Sequence, residues 1–458
     1  AAAGRASALA LDPRYDGTSN QTVYVGAAQG GVWRSTDNGA NWTPLIDGMP
    51  SLAVGSIAVD PRNPQVIYVG TGEGNSSQDS YYGAGLYKSV DGGQTWRVIQ
   101  GPVSTVAPRV PAFINLSIMH IVIDPQNSQT LYICTRGAGS GSASSGGGSI
   151  AAGAPGQRGL WKSTDGGETW RNLDPTGNGG TIAANVVYVN PQTPSIVIAG
   201  LETQGLYRST AGGEPGTWSK LTDGLPASDV RRINIADGPP LPPATKRTLY
   251  AALSMASSTN NLHGVYKSTD GGDTWTAVNL PGSVSQVWYN LSLAVNQQDA
   301  NIVYLGMVNY YRSLNGGQTW QAQNGSGNGA VHVDHHFTLN APNKTNVVFA
   351  ASDGGIWRSD NADATTAMVW TSLNATLNTV QFQGVALHPT DPVLAIGGTQ
   401  DNGTNRFSGD PAWTRIAGGD GGFVLIDQAN PDVFYHTFFN QNNSGGQTPQ
   451  LGPEVSIN

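Results

Sequence analysis

Carboxylates and imidazoles able to act on a ligand are concentrated in a few short segments of this chain. In His332-Val333-Asp334-His335-His336-Phe337 the two-residue period of an extended strand puts His332, Asp334 and His336 on one face, a donor set suited to zinc or another divalent ion. Residues four apart in a flat strand are about 13 Å apart at Cα, so one ion would need the strand to bend. A hydrogen-bonded polar cluster at the mouth of a central channel is therefore the preferred expectation. The segment from Gly70 to Gly83 gathers Glu73, Asp79, Tyr81 and Tyr82, and Glu73 is one of only five glutamates in the chain. Carboxylates beside tyrosines suit a sugar or peptide cleft, where rings stack and acids accept from hydroxyls, although a glycine-rich loop also forms as a plain turn.

Two further segments, Gly397-Gly398-Thr399-Gln400-Asp401-Asn402-Gly403-Thr404 and Gly418-Gly419-Asp420-Gly421-Gly422-Phe423, set an aspartate among glycines. Close backbone approach to a ligand or to calcium uses that composition, and so do hairpin turns that need positive φ. Asp353 in Ser352-Asp353-Gly354-Gly355-Ile356-Trp357-Arg358 is another carboxylate beside a Gly pair. The candidate acids for catalysis are thus Glu73, Asp353 and Asp401, and the candidate ligand contacts are Glu73, Asp79, Tyr81, Tyr82, Gln400, Asp401 and Asp420. No cofactor is required by this set; calcium or zinc is the ion it would accommodate.

These segments are spaced along a repeat that must position them. Ser35-Thr36-Asp37-Asn38-Gly39-Ala40-Asn41-Trp42 recurs with Asp91 and Trp96, with Asp165 and Trp170, and with Asp270 and Trp275. Weaker copies end at Trp218, Trp320 and Trp370, with Ala211 and Asn315 in the Asp position of the first two and an insertion in the third; a bare Trp413 marks an eighth. The tryptophans that end successive copies lie 43 to 74 residues apart, the size of one propeller blade with variable loops. The longest spacing contains the low-complexity stretch 137–156. Each copy follows three short apolar runs, such as Ile57-Ala58-Val59, Val66-Ile67-Tyr68-Val69 and Leu86-Tyr87, and precedes a fourth, giving a four-stranded antiparallel meander. In the turn, the Asp carboxylate accepts backbone N–H groups, the Gly pair permits positive φ, and the Trp packs beneath. One such aspartate per blade is dispersed around a rim, so Asp37, Asp91, Asp165 and Asp270 are read as structural.

The expected fold is all-β: a propeller of seven or eight such blades, about seven of them over residues 1–375, with 376–458 either closing it or beginning a second propeller. The repeat resembles the Asp-box turn of bacterial neuraminidase-type propellers, and the fuller unit is similar to sortilin-type propellers and to family 74 xyloglucanases. The resemblance covers nearly the whole chain and implies the fold more strongly than any activity. Sialidases of this kind add a Phe-Arg-Ile-Pro segment, and no Arg-Ile-Pro occurs here. Family 74 enzymes carry one catalytic Asp in a first-blade segment like Thr-Asp-Ile-Gly-Gly-Ala-Tyr-Arg. The matching stretch here is Ala27-Ala28-Gln29-Gly30-Gly31-Val32-Trp33-Arg34, which sets Ala28 where that acid would stand. Asp353, on another blade, is the substitute the resemblance leaves.

A net charge of −8 and the lack of any Lys/Arg cluster exclude a phosphate-tracking surface, so nucleic acid is not an expected partner. No apolar run reaches the length of a membrane span. The one cysteine, Cys134, allows no intrachain disulfide and lies in an apolar run, where a buried thiol is expected. With ten Asn-x-Ser/Thr sequons, the chain reads as secreted or cell-surface. The expected function is an extracellular scaffold for carbohydrate or protein ligands, or for surface self-assembly. The alternative is a glycoside hydrolase acting on β-glucan or xyloglucan-type polysaccharide.

Overall fold

Short runs of Val, Ile, Leu and Tyr separated by Gly, Pro, Asn and Asp form strands throughout. The computed structural model describes residues 3–457 apart from 78–79, 108, 138–154, 243–244, 259–260, 283, 326–329, 343, 411–412 and 439–453. Asp79 and most of the 137–156 stretch therefore lie outside the described residues. Among the described residues there is no helix; the strands form eight four-stranded antiparallel sheets and one three-stranded sheet. Sheet order follows chain order in every one, so each is a meander of sequence neighbours.

The first seven sheets are the blades of a propeller. Their inner strands are Ala6–Leu11, Val54–Val59, Ser117–Ile123, Ala184–Val189, Val230–Leu241, Ser292–Val295 and His335–Ala341. Each packs against the next, and the seventh packs against the first. The closure is fastened by Trp42, whose Nε1 donates to Leu373 O at 2.8 Å, and by Ala3 N donating to Gly354 O at 3.1 Å. Inner strands surround a cavity of about 750 Å³ lined by Leu9, Ile121, Val187, Leu293 and Phe337, among others.

The recurring turn behaves as its residues dictate. Asp165 Oδ1 accepts from Glu168 N (3.0 Å), Thr169 N (2.9 Å) and Ser163 Oγ (2.8 Å), Gly166 and Gly167 take φ of 70° and 88°, and Trp170 Nε1 donates to Gly167 O at 2.9 Å. In the weaker copies Asn315 and Asn361 replace the carboxylate with an amide oxygen, accepting from Thr319 N at 2.9 Å and Val369 N at 2.8 Å. Where Ala211 offers no acceptor, Ser209 Oγ bonds Thr217 Oγ1 at 2.7 Å. Each turn is also gripped by the preceding blade: Tyr68 hydroxyl donates to Gly166 O, and Glu168 bridges Lys88 (3.1 Å) and Arg97 (2.6 Å). Glu214 repeats the bridge one blade on, with Lys162 and Arg171.

The eighth sheet, with strands Phe382–Leu387, Ala395–Thr399, Gly403–Phe407 and Thr414–Ala417, lies outside the ring and packs against the ninth, whose first strand is Gly421–Ile426. Alternation along their inner strands matches that of the ring, yet Leu387 is 70% and Phe423 58% exposed where Leu9 is 3%. Two blades do not surround a channel, so residues that line one in the ring here face solvent.

Candidate functional site

One end of the channel is closed by the segment after the second strand of the second blade. Three arginines from three other blades hold it there. Arg136 donates to Gly74 O at 2.8 Å and Ser76 Oγ at 3.1 Å, Arg232 donates to Asn75 Oδ1 at 2.8 Å, and the Arg5 guanidinium lies 3.9 Å from Glu73. Glu73 is completely buried, and neither of its oxygens accepts a hydrogen bond among the described residues. It is the core of a plug rather than a group on an open cleft. Burial and the neighbouring Arg136 lower the Arg232 guanidinium to about 9.

Beside the plug, where the seventh blade meets the eighth sheet, four aspartates converge. Asp353 is buried: its Oδ1 meets His336 Nε2 at 2.6 Å and its Oδ2 accepts from the Tyr289 hydroxyl at 2.7 Å. The Asp401 carboxyl is close enough to couple to Asp353 electrostatically, and Asn402 Nδ2 donates to the Asp353 backbone carbonyl at 3.0 Å. Asp401 occupies the tight turn before Gly403–Phe407 with φ of 59°. Its backbone N donates to Asp420 Oδ1 at 3.1 Å, and Gln400 Nε2 reaches the same oxygen at 3.3 Å. Asp334, at φ of 64°, accepts from Asn290 Nδ2, and His332 Nε2 sits 3.3 Å from Asp401 O. Gly354 makes room for this approach, since a Cβ there would stand 2.4 Å from the His332 ring.

Burial, followed by repulsion from Asp353, raises Asp334 and Asp401 to about 7. Burial raises Asp353 too, but Arg5 and the Tyr289 hydroxyl hold it to about 6. Asp334, Asp401 and Asp420 are half-buried and Asp353 lies behind them. Adjacent carboxyls of this kind are partly protonated near neutrality, so one can donate a proton while a neighbour accepts one.

The structure thus brings Asp353, Asp401, Gln400 and Asp420 into one seam and adds Asp334, His332 and His336 to it. The metal expectation for His332, Asp334 and His336 is corrected: among the described residues no three His, Cys, Asp or Glu side chains converge on a metal position. The strand begins only at His335, Asp334 is in a left-handed turn, and a bulge between His335 and Phe337 breaks the two-residue period on which that face depended. The same geometry sends His336 to Asp353 and buries the His335 ring, which burial lowers to about 3. Tyr81 and Tyr82 line a separate pocket of about 580 Å³ with Gln29, Ser51 and Asn115. Arg5, Arg136, Arg232 and Tyr289 were not anticipated. Arg136 and Arg232 have one sequence signal, a charged side chain in a largely apolar strand; Arg5 and Tyr289 lie just before strands and have none.

A propeller with a carboxylate-lined seam at the start of a further pair of sheets is the class that fold and site define. No protein-family model matches the chain. A xyloglucanase of Paenibacillus sp. is 26% identical over 269 residues, 58% of this chain and 20% of that protein. Xyloglucanase Xgh74A of Acetivibrio thermocellus is 27% identical over 238 residues, 46% of this chain and 25% of that protein. The chain therefore aligns with no more than a quarter of either relative's length. Among solved structures, an ancestral GH74 enzyme matches with a TM-score of 0.69 at 19% identity, over 97% of this chain and 59% of its own. The GH74 xyloglucanase of Xanthomonas campestris gives 0.65 at 16%, over 97% and 65%. The chain shares the β-propeller fold of these proteins.

Proposed function

We propose that this protein is a glycoside hydrolase acting outside the cell on β-glucan or xyloglucan-type polysaccharide, with its acid chemistry in the seam. The observation that carries this reading is the pairing of half-buried Asp401 and Asp420 in front of buried Asp353, since glycosidic hydrolysis needs two carboxyls in different protonation states. The xyloglucanases among its relatives supply the substrate class. On this reading the turns are Asp-boxes of the sort also found in sortilin-type propellers, residues 1–375 form one propeller, and 376–458 begin a second whose inner faces are the exposed apolar residues of the last two sheets. Tyr81 and Tyr82 would then offer stacking surfaces for sugar rings away from the acids.

A second reading, a scaffold that binds polysaccharide or protein without cleaving it, is favoured by one observation: Ala28, buried in the first blade, sets no acid at the position after that blade's second strand. Incubating the whole chain with xyloglucan and mixed-linkage glucan separates the two. The hydrolase reading expects oligosaccharide release that is lost in D401N and D420N. Retention of polysaccharide in affinity electrophoresis with no release from any substrate would leave the scaffold.

A further inference from the structure

Asp353 is held from behind by residues of three blades. His336 Nε2 and the Tyr289 hydroxyl take one oxygen each, at 2.6 and 2.7 Å, and Arg5 Nη1 donates to that same hydroxyl at 2.6 Å. Because the hydroxyl has one proton and accepts from a fixed positive charge, its O–H is directed to the carboxylate. With its ring proton on Nε2, His336 donates to the other oxygen. Two donors on a buried carboxylate favour its ionised form. In front, Asn402 Nδ2 donates to the Asp353 carbonyl at 3.0 Å and sets its neighbour Asp401 against Asp353; two carboxyls coupled this closely hold one proton between them. The remaining charged groups facing this pair are Asp334 and His332 from the segment before the seventh blade and Asp420 from the turn into the ninth sheet. Glu73 neutralises the outer side of Arg5.

We propose that Arg5, Tyr289 and His336 are positioning residues that keep Asp353 ionised, so that the one proton in the Asp353–Asp401 contact stays on Asp401, the carboxyl that opens to the seam. The inference rests on the hydrolase reading for its purpose, which is to make Asp401 the acid of that site, but its chemistry stands without turnover. Removing the donors transfers the proton from the Asp401 carboxyl to that of Asp353, with no net uptake or release. Burial raises both groups, Asp353 only to about 6 and Asp401 to about 7, which is the order this requires.

The test is carboxyl ¹³C NMR of the whole chain labelled at aspartate, titrated without substrate in the wild type, H336F, Y289F and H336Q, with Asp353 and Asp401 assigned by their D353N and D401N variants. In H336F and in Y289F the Asp401 midpoint is expected to fall by about one pH unit, a tenfold change in proton affinity, while that of Asp353 rises. H336Q, which keeps an N–H donor, is expected to stay near the wild type. Y289F removes a single oxygen and guards against misfolding of H336F. An unchanged Asp401 midpoint in Y289F and H336F, or an equal fall in H336Q, would overturn the proposal. A shift in a protein that cleaves no polysaccharide would sink the hydrolase reading alone, and cleavage without a shift would sink this one alone.

Discussion

Asp91 and Asp165 in the rim turns and Asp353 and Asp401 in the seam are the same side chain in opposite surroundings. In the turns, the Thr95 and Thr169 hydroxyls and backbone N–H groups saturate each carboxylate at the protein surface and hold it down at about 2. In the seam, burial pushes Asp353 up to about 6, and burial with repulsion from Asp353 pushes Asp401 up to about 7. An aspartate ringed by donors at the surface staples a hairpin; Asp401, half-buried and facing other aspartates, is raised to about 7 and retains a proton near neutral pH. The repeat has fixed the first kind at regular spacing, and the second arises only where two differently built loops meet.

This contrast is broken most severely at the acids. If the seam does chemistry and the rim does not, D401N and D420N lower polysaccharide hydrolysis by about 10²- to 10⁴-fold, while D165N leaves the rate near that of the wild type; initial rates of reducing-sugar release check this. Next in size is Arg5. Replacing it with alanine takes one of three arginines from around buried Glu73 and removes the donor to the Tyr289 hydroxyl, and is expected to destabilise the ring by about 3 kcal/mol, read from the denaturant midpoint.

The two classes also respond oppositely to pH. Folded-state values raised above 3.8 at Asp334, Asp353 and Asp401 give stability that is complete below about pH 4 and is lost as pH rises through about 6 to 7. Lowered values at Asp91 and Asp165 give stability that is present above about pH 4 and is lost as pH falls through about 2. Thermal unfolding is therefore expected to peak near pH 4 to 5, and D334N with D401N to flatten the alkaline side alone. The smallest effect is at a single turn. D270A removes an acceptor of several hydrogen bonds on a well-hydrated rim and is expected to cost about 1 kcal/mol, seen as a modest fall in the same midpoint.

The blades were legible because their signals are local: the Ser-x-Asp turn, its Gly pair and its Trp all act within eight residues, and the apolar runs pair with immediate neighbours. The seam was legible only in pieces. Asp353, Asp401 and Asp420 stood out by their glycine settings, but what unites them is the meeting of a seventh-blade turn with a turn of the eighth sheet, which no local spacing encodes. Glu73 was noticed for its rarity, whereas its burial depends on arginines 60 and more residues away in the chain. His336 was assigned to a strand face that a bulge removes, and a bulge has no reliable signature in six residues. Two-residue periodicity holds in the body of these strands and fails at their starts, where the site is built.

The most direct test is aspartate ¹³C titration of the unmodified whole chain. The account predicts two separated groups, with the rim resonances of Asp91 and Asp165 titrating near pH 2 and those of Asp334, Asp353 and Asp401 between about 6 and 7. A single group with every aspartate titrating near 4 would contradict it.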